Sequence, residues 1–177
     1  MMVVFDTSIL LLVLDPHARP PLAPTTGAPV ERAADRIQHL IDTLNDGADK
    51  ILVPTPVLSE LLVYAGRATQ GYLQFFNERA VFRIAPFDTK AAIEAAVAHR
   101  DALDRGGIRV DAATPDASRT KIKFDRQIVA IAKAEGARTV YSDDEDVIAY
   151  AIRADLGAHR TIDLDLPPED PQHEMGF

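Results

Sequence analysis

With 177 residues, 47% of them apolar, the chain is long enough for one ordinary hydrophobic core and too short to demand a second. The lack of cysteine excludes a disulfide framework and a thiolate metal centre, fits a reducing compartment such as the cytoplasm, and leaves oxygen or imidazole as ligands for any metal. Nineteen basic against 27 acidic residues give a net charge of −8, which argues against a nucleic-acid binder unless much of the acidity is gathered and neutralised in one site.

The opening run MMVVFDTSILLLVL is apolar but short and interrupted by Asp6 and Thr7, and it lacks a basic leader and a small-residue cleavage site. It reads as a strand over residues 3–5 and a helix over 7–14, with Asp6, Thr7 and Ser8 as candidate N-caps. No other stretch approaches the length of a membrane span, so a soluble protein is expected, with no membrane partner. Residues 15–29 hold five prolines and form an exposed excursion. A helix is expected to resume near Val30 and end at Asp46-Gly47.

A second buried strand spans 51–53, followed by a helix from Thr55 or Pro56 to about Tyr64, where Gly66 stops it. Helical 69–79, a strand at 81–85 and an alanine-rich helix at 88–103 capped by Asp88 come next, and Gly106-Gly107 breaks the chain. Residues 104–120 read as a loop, 121–134 as an amphipathic helix ended by Gly136, 138–141 as a strand, 144–152 as a helix and 160–164 as a last strand. Short continuous apolar strands alternating with helices predict a mainly parallel sheet covered on both faces, a single domain over 1–164 and an acidic tail at 165–177.

Four carboxylates stand at strand ends or on inward helix faces of this scheme: Asp6, Glu60, Asp125 and Asp144. Desolvating a carboxylate costs several kcal/mol, roughly, unless something positive meets it, and a divalent cation is the simplest partner that four distant segments could share. Each acid also has a plainer explanation. Asp6 can be an N-cap, and Glu60 can be half of a buried ion pair on the apolar side of its helix made by Val57, Val63 and Tyr64. Asp125 lies on the core-facing stripe Ile122, Ile128, Val129, Ala132, yet near its helix start it can pair with Lys121 or Arg126. Ser142 with Glu145 has capping-box spacing, although four consecutive acids from Asp143 to Asp146 exceed what a cap needs. The joint appearance of these acids is what favours a metal site, and clustered acids of this kind should have raised pKa values without metal.

With these residues in view the chain resembles the PIN-domain ribonucleases of the VapC-like toxin type. The resemblance rests on Asp6-Thr7-Ser8-x-Leu10 after the first strand, Pro54-x-x-Val57-x-x-Glu60, Asp125-x-x-Ile128-x-x-Ile131-Ala132 and Tyr141-Ser142-x-Asp144-x-Asp146, spread from residue 2 to about 164. It implies a three-layer α/β/α sandwich, an acidic site binding Mg²⁺ or Mn²⁺, RNA cleavage, and as partners an RNA substrate, an antitoxin protein and a second copy of the chain in a homodimer. Asp6, Glu60, Asp125 and Asp144 become catalytic and metal-binding residues, Asp146 a further metal ligand, and Ser8 and Ser142 auxiliaries that orient carboxylates. Segments 15–29 and 104–120 lengthen the chain beyond a minimal member of that type.

For substrate, Arg105, Arg109, Arg119, Lys121, Lys123 and Arg126 gather in and after the second loop, and Arg119, Lys121, Lys123 and Arg126 are the expected RNA-binding set. Two other functions fit the same residues: a metal-dependent phosphatase with Asp6 as nucleophile, and a non-catalytic binding module of the same fold. The histidines at 17, 39, 99, 159 and 173 have no ligand spacing, and no Gly-rich phosphate loop, G-x-S-x-G or H-E-x-x-H is present.

Overall fold

A computed structural model describes residues 1–168. Five strands form one all-parallel sheet in the order β3-β2-β1-β4-β5. They are β1 (Met2–Phe5), β2 (Lys50–Pro54), β3 (Phe82–Ala85), β4 (Thr139–Tyr141) and β5 (Gly157–His159). Val3, Val4, Phe5, Ile51, Leu52 and Val53 are fully buried, as strands covered on both faces must be.

The helices are α1 (Thr7–Leu14), α2 (Ala33–Asp46), α3 (Thr55–Ala65), α4 (Thr69–Glu78), α5 (Thr89–Asp104), α6 (Arg119–Ala134) and α7 (Glu145–Arg153). The chain leaves β1 toward β2 and β3 on one side, then returns past β1 to β4 and β5 on the other. Right-handed crossovers therefore put α1–α4 on one face and α5–α7 on the opposite face, and each group packs within itself. The result is the expected α/β/α sandwich. The direction of winding reverses between β1 and β4, and their carboxyl ends, Phe5 and Tyr141, are register partners.

Most element boundaries match expectation within two residues, and three differences have a physical cause. α2 starts at Ala33 rather than near Val30, because the 15–29 excursion closes as a small hairpin. Ala23 and Val30 donate to the carbonyls of Ala28 and Pro21, both at 2.8 Å, and Arg32 then takes a left-handed turn at φ 51°. The excursion is thus folded against the core through Ala23 and Val30 rather than wholly exposed. α6 starts two residues before Lys121 because Ser118 caps it, accepting from the Lys121 amide at 3.1 Å.

The last strand is Gly157–His159, not 160–164. Gly157 pairs with Thr139, and a Cβ there would lie 3.1 Å from the Thr139 hydroxyl, so the missing side chain admits this edge. Residues 161–163 instead form a short 3₁₀ turn, with Asp143 accepting from the Thr161 amide at 3.0 Å and its hydroxyl at 2.5 Å. The tail expected at 165–177 lies outside the described residues from 169 onward.

Loop 104–120 has no helix or strand before α6, yet it is anchored by a buried carboxylate. Asp111 meets Arg105, Arg153 at 2.8 Å and Arg126 at 3.8 Å, and Arg126 also donates to the Ile108 carbonyl at 2.8 Å. Arg126 is only 7% exposed, so removing Asp111 strands a buried cation. Asp111→Ala should cost about 3 kcal/mol of stability, seen as a lowered urea midpoint with faster amide exchange across 104–118.

Candidate metal centre

The carboxyl ends of β1 and β4 deliver the first two acids. Asp6 follows β1, and its amide donates to the Tyr141 carbonyl at 3.0 Å, which sets it directly against Ser142. It occupies the N-cap position of α1 but makes no capping hydrogen bond. Its Oδ2 instead accepts from the Ser142 hydroxyl at 2.7 Å and the Ser8 hydroxyl at 3.2 Å. The plain N-cap explanation therefore fails for Asp6.

After β4 the chain turns through Ser142 and Asp143 into α7, and Asp144 is the N-cap, accepting from the amides of Asp146 at 2.8 Å and Val147 at 3.3 Å. The expected Ser142–Glu145 capping box is not formed. The Ser142 hydroxyl accepts from the Asp144 amide at 3.0 Å while donating to Asp6, and Glu145 points to solvent near Arg160. The four consecutive acids are thus divided: Asp143 anchors Thr161, Asp144 caps and faces the centre, Glu145 is exposed, and Asp146 is fully buried.

α6 supplies Asp125 from its core stripe, 7% exposed among Ile122, Ile128 and Val129. One carboxylate oxygen from each of Asp125, Asp144 and Asp146 lies within 4.8 Å of the other two, a separation at which a single cation can touch all three. Lys121, one turn before Asp125, reaches into the same point. Its ammonium donates to Asp125 Oδ2 at 2.8 Å, Asp144 Oδ1 at 2.9 Å and Asp146 Oδ2 at 2.7 Å. Asp146 is further held by the Thr114 amide at 2.8 Å, which ties loop 104–120 to the centre.

Glu60 departs from expectation. It is exposed, and the residues that share its side of α3 are open as well, Val63 at 80% and Tyr64 at 65%. The core face of α3 is Val57 and Leu61; Pro56, Ser59, Glu60, Val63 and Tyr64 form one wall of a groove. Glu60 is nonetheless fixed, accepting from the Thr7 hydroxyl at 2.5 Å. Across the groove stand Thr120, Lys121, Phe124, Asp125 and Ile128 of α6, with Asp6, Ser8 and Asp144 at the base, enclosing about 590 Å³. Asp6, Glu60, Asp125 and Asp144 therefore share one cleft at the point where the winding reverses, the place where open parallel sheets bind ligands.

Of the expected RNA-binding set only Lys121 lines that cleft. Lys121 faces inward onto the acids, and Arg126 is buried on the far side of α6 against Asp111 and the Tyr150 ring. Only Arg119 and Lys123 are exposed, on the flank of α6. A helix turns 100° per residue, so a run of basic residues at 119, 121, 123 and 126 cannot lie on one face.

No protein-family model matches the chain, and no curated protein matches it. Solved structures do. VapBC2 of Rickettsia felis, bound to a DNA fragment from its promoter, is 17% identical at a TM-score of 0.60, over 90% of this chain and 98% of that one. DNA-bound VapBC of Salmonella typhimurium is 13% identical at 0.55, and VapBC-1 of nontypeable Haemophilus influenzae 12% at 0.56, each over 91% of this chain and 98% of the other. The fold is PIN-like. At these identities the likeness speaks for the backbone, and the chemistry rests on the side chains.

In this centre burial pushes the Asp6 carboxyl up to about 6, although the Ser142 hydroxyl and the Thr7 amide pull it down. Burial likewise raises Asp125 to about 7, against the opposing pull of Lys121, with Asp144 and Asp6 adding repulsion. Burial also works against the charges of Lys121 and Asp146, but hydrogen bonds outweigh it: those to Asp125, Asp146 and Asp144 raise the lysine, and those from Lys121 and Thr114 lower the aspartate. Two acids that resist ionisation beside one held ionised are a centre short of positive charge, and hard carboxylate oxygens suit Mg²⁺ or Mn²⁺.

Sequence reasoning gave Thr7 as a candidate cap and Tyr64 as an apolar neighbour of Glu60 without assigning either a role in the groove, and did not single out Thr114 or Phe124. Among the described residues no helix is long and apolar enough to cross a membrane.

Raised carboxyl pKa values act on stability with a definite sign. Between about pH 4 and pH 7 the native protein holds protons on Asp6 and Asp125 that the unfolded chain has released, so these groups lose stability as pH rises. Metal-free Asp6→Asn should therefore be more stable than the native protein at pH 7.5, by up to about 3 kcal/mol. That advantage should shrink as pH falls to 5, as followed by thermal unfolding in EDTA.

Proposed function

We propose that this chain is a metal-dependent endoribonuclease that hydrolyses RNA phosphodiester bonds, and that it is the toxin of a toxin–antitoxin pair. The observation that carries the activity is the convergence of Asp125, Asp144 and Asp146 oxygens within 4.8 Å, with Asp125 and Asp144 lining, beside Asp6, a groove of about 590 Å³. Asp6, Asp125, Asp144 and Asp146 would hold Mg²⁺ or Mn²⁺, with Glu60 at the groove wall. When bound, such an ion supplies an activated water and offsets charge at the phosphate and the leaving oxygen.

The chain's own residues set the geometry. Ser8 and Ser142 both act on Asp6 Oδ2 and so fix a carboxylate that lines the groove. The Asp143 amide donates to the Ser8 hydroxyl at 3.0 Å, so the three residues after β1 and the three after β4 are locked together. Thr7 orients Glu60 from below. Arg119 and Lys123 are the exposed cations nearest in sequence to Asp125 and would meet RNA phosphates beyond the groove.

An antitoxin partner is supported by the likeness to chains of VapBC complexes and by the exposed apolar side chains on the groove walls, Val63, Tyr64 and Phe124. The absence of cysteine suits a cytoplasmic site of action. A phosphatase using Asp6 as nucleophile is less well served, because the carboxylate is 5% exposed and bonded by two hydroxyls.

A labelled RNA pool incubated with the purified protein should be cut with Mn²⁺ and left intact with EDTA. Asp6→Asn and Asp125→Asn should each reduce cutting to background while circular dichroism stays native. Full activity in either variant would remove the acids from catalysis, and a folded native protein that binds Mn²⁺ tightly yet cuts no RNA would favour a non-catalytic binding module.

A further inference from the structure

Resting on the metal-site reading above, we infer that Lys121 is an internal counter-ion that competes with the divalent cation for one position. Its ammonium has three protons, and each is donated to a different one of the three carboxylates that could grip a metal, at 2.7 to 2.9 Å. The three carboxylates whose oxygens lie within 4.8 Å of one another are the three that this lysine bonds. A divalent ion at ordinary carboxylate distances, about 2.1 Å for Mg²⁺, leaves no room for a second cation among the same oxygens. Loading the metal therefore requires the lysine to leave.

The structure provides for that exit. Lys121 lies in the first turn of α6, its side chain is 35% exposed, and it lines the groove together with Thr120 and Phe124. Rotation about the four-carbon stem carries the ammonium from the acids into the groove without moving the helix. The displaced charge then stands in the cleft proposed to take the RNA backbone, where a phosphate would be its next partner. In the unloaded protein the same residue relieves the repulsion among Asp125, Asp144 and Asp146, so the centre stays folded without a metal.

A purely structural lysine and a competing one give opposite signs when removed. Mn²⁺ titration of metal-stripped protein, read by the electron paramagnetic resonance of free Mn²⁺, should show Lys121→Met binding at least tenfold tighter than the native protein. The metal-free variant should also melt at a lower temperature and gain more from added Mn²⁺. Lys121→Gln, which keeps two donors, serves if the methionine variant does not fold and should show the same direction, while Lys121→Arg should return affinity toward the native value. Adding Asp125→Asn to Lys121→Met should abolish the gain, placing the ion at this cluster. Unchanged or weaker Mn²⁺ binding in the Met and Gln variants, with the native protein binding the ion, would overturn the competition and leave the metal site standing. No Mn²⁺ binding by native or variant protein would overturn both.

Discussion

Negative charge forced together at the carboxyl ends of β1 and β4 is the constraint on which the site depends. The register Phe5–Tyr141 fixes Asp6 against Ser142, and α7 begins at once with Asp144, so two acids meet before any tertiary packing of helices is considered. α6 then adds Asp125 from within the apolar layer. Packing alone would not keep such a cluster, since each desolvated carboxylate opposes the next. The protein meets the problem with hydroxyl donors on Asp6, main-chain amides on Asp144 and Asp146, and one ammonium across three oxygens.

This arrangement separates two kinds of acid that look alike in one dimension. Asp143 and Asp111 are structural: the first ties the end of β5 to β4 through Thr161, and the second neutralises arginines that hold loop 104–120 against α6 and α7. Asp6 and Asp125 have hydrogen-bond partners too few to offset their burial, which is why their protons are held more tightly than usual. Stability is given up at the site and recovered in the buried strands around it, where Val3, Val4, Phe5, Ile51, Leu52 and Val53 carry no exposed surface.

The alternation of short apolar strands with helices made the sheet and the placement of Asp6, Asp125 and Asp144 legible, because burial on both faces leaves a continuous apolar run that a terminal carboxylate interrupts. Glu60 was harder. The apolar neighbours Val63 and Tyr64 suggested a core face, whereas they line an open groove, and hydrophobicity does not distinguish a core stripe from a ligand-facing one. The sequence spacing of Lys121 and Asp125, one helical turn, already allowed their pairing, but the second and third acids in that network come from a segment more than 20 residues away. Arg126 beside Asp125 carries the opposite lesson: neighbours in a helix point about 100° apart, so one faces the site and the other Asp111. The start of β5 depended on a glycine whose value is its lack of a side chain, a feature that hydrophobic pattern does not register.

The bond from Thr114 to Asp146 is made by a main-chain amide. The Thr114 side chain adds a second hydrogen bond to the same carboxyl, and the two together help hold it below the usual carboxylate range. The main-chain part of this hold is open to any residue but proline, which has no amide hydrogen, whereas the side-chain part needs a donor at position 114. A long loop is thus tied to the acidic centre through a single residue, a fastening too short to leave a motif.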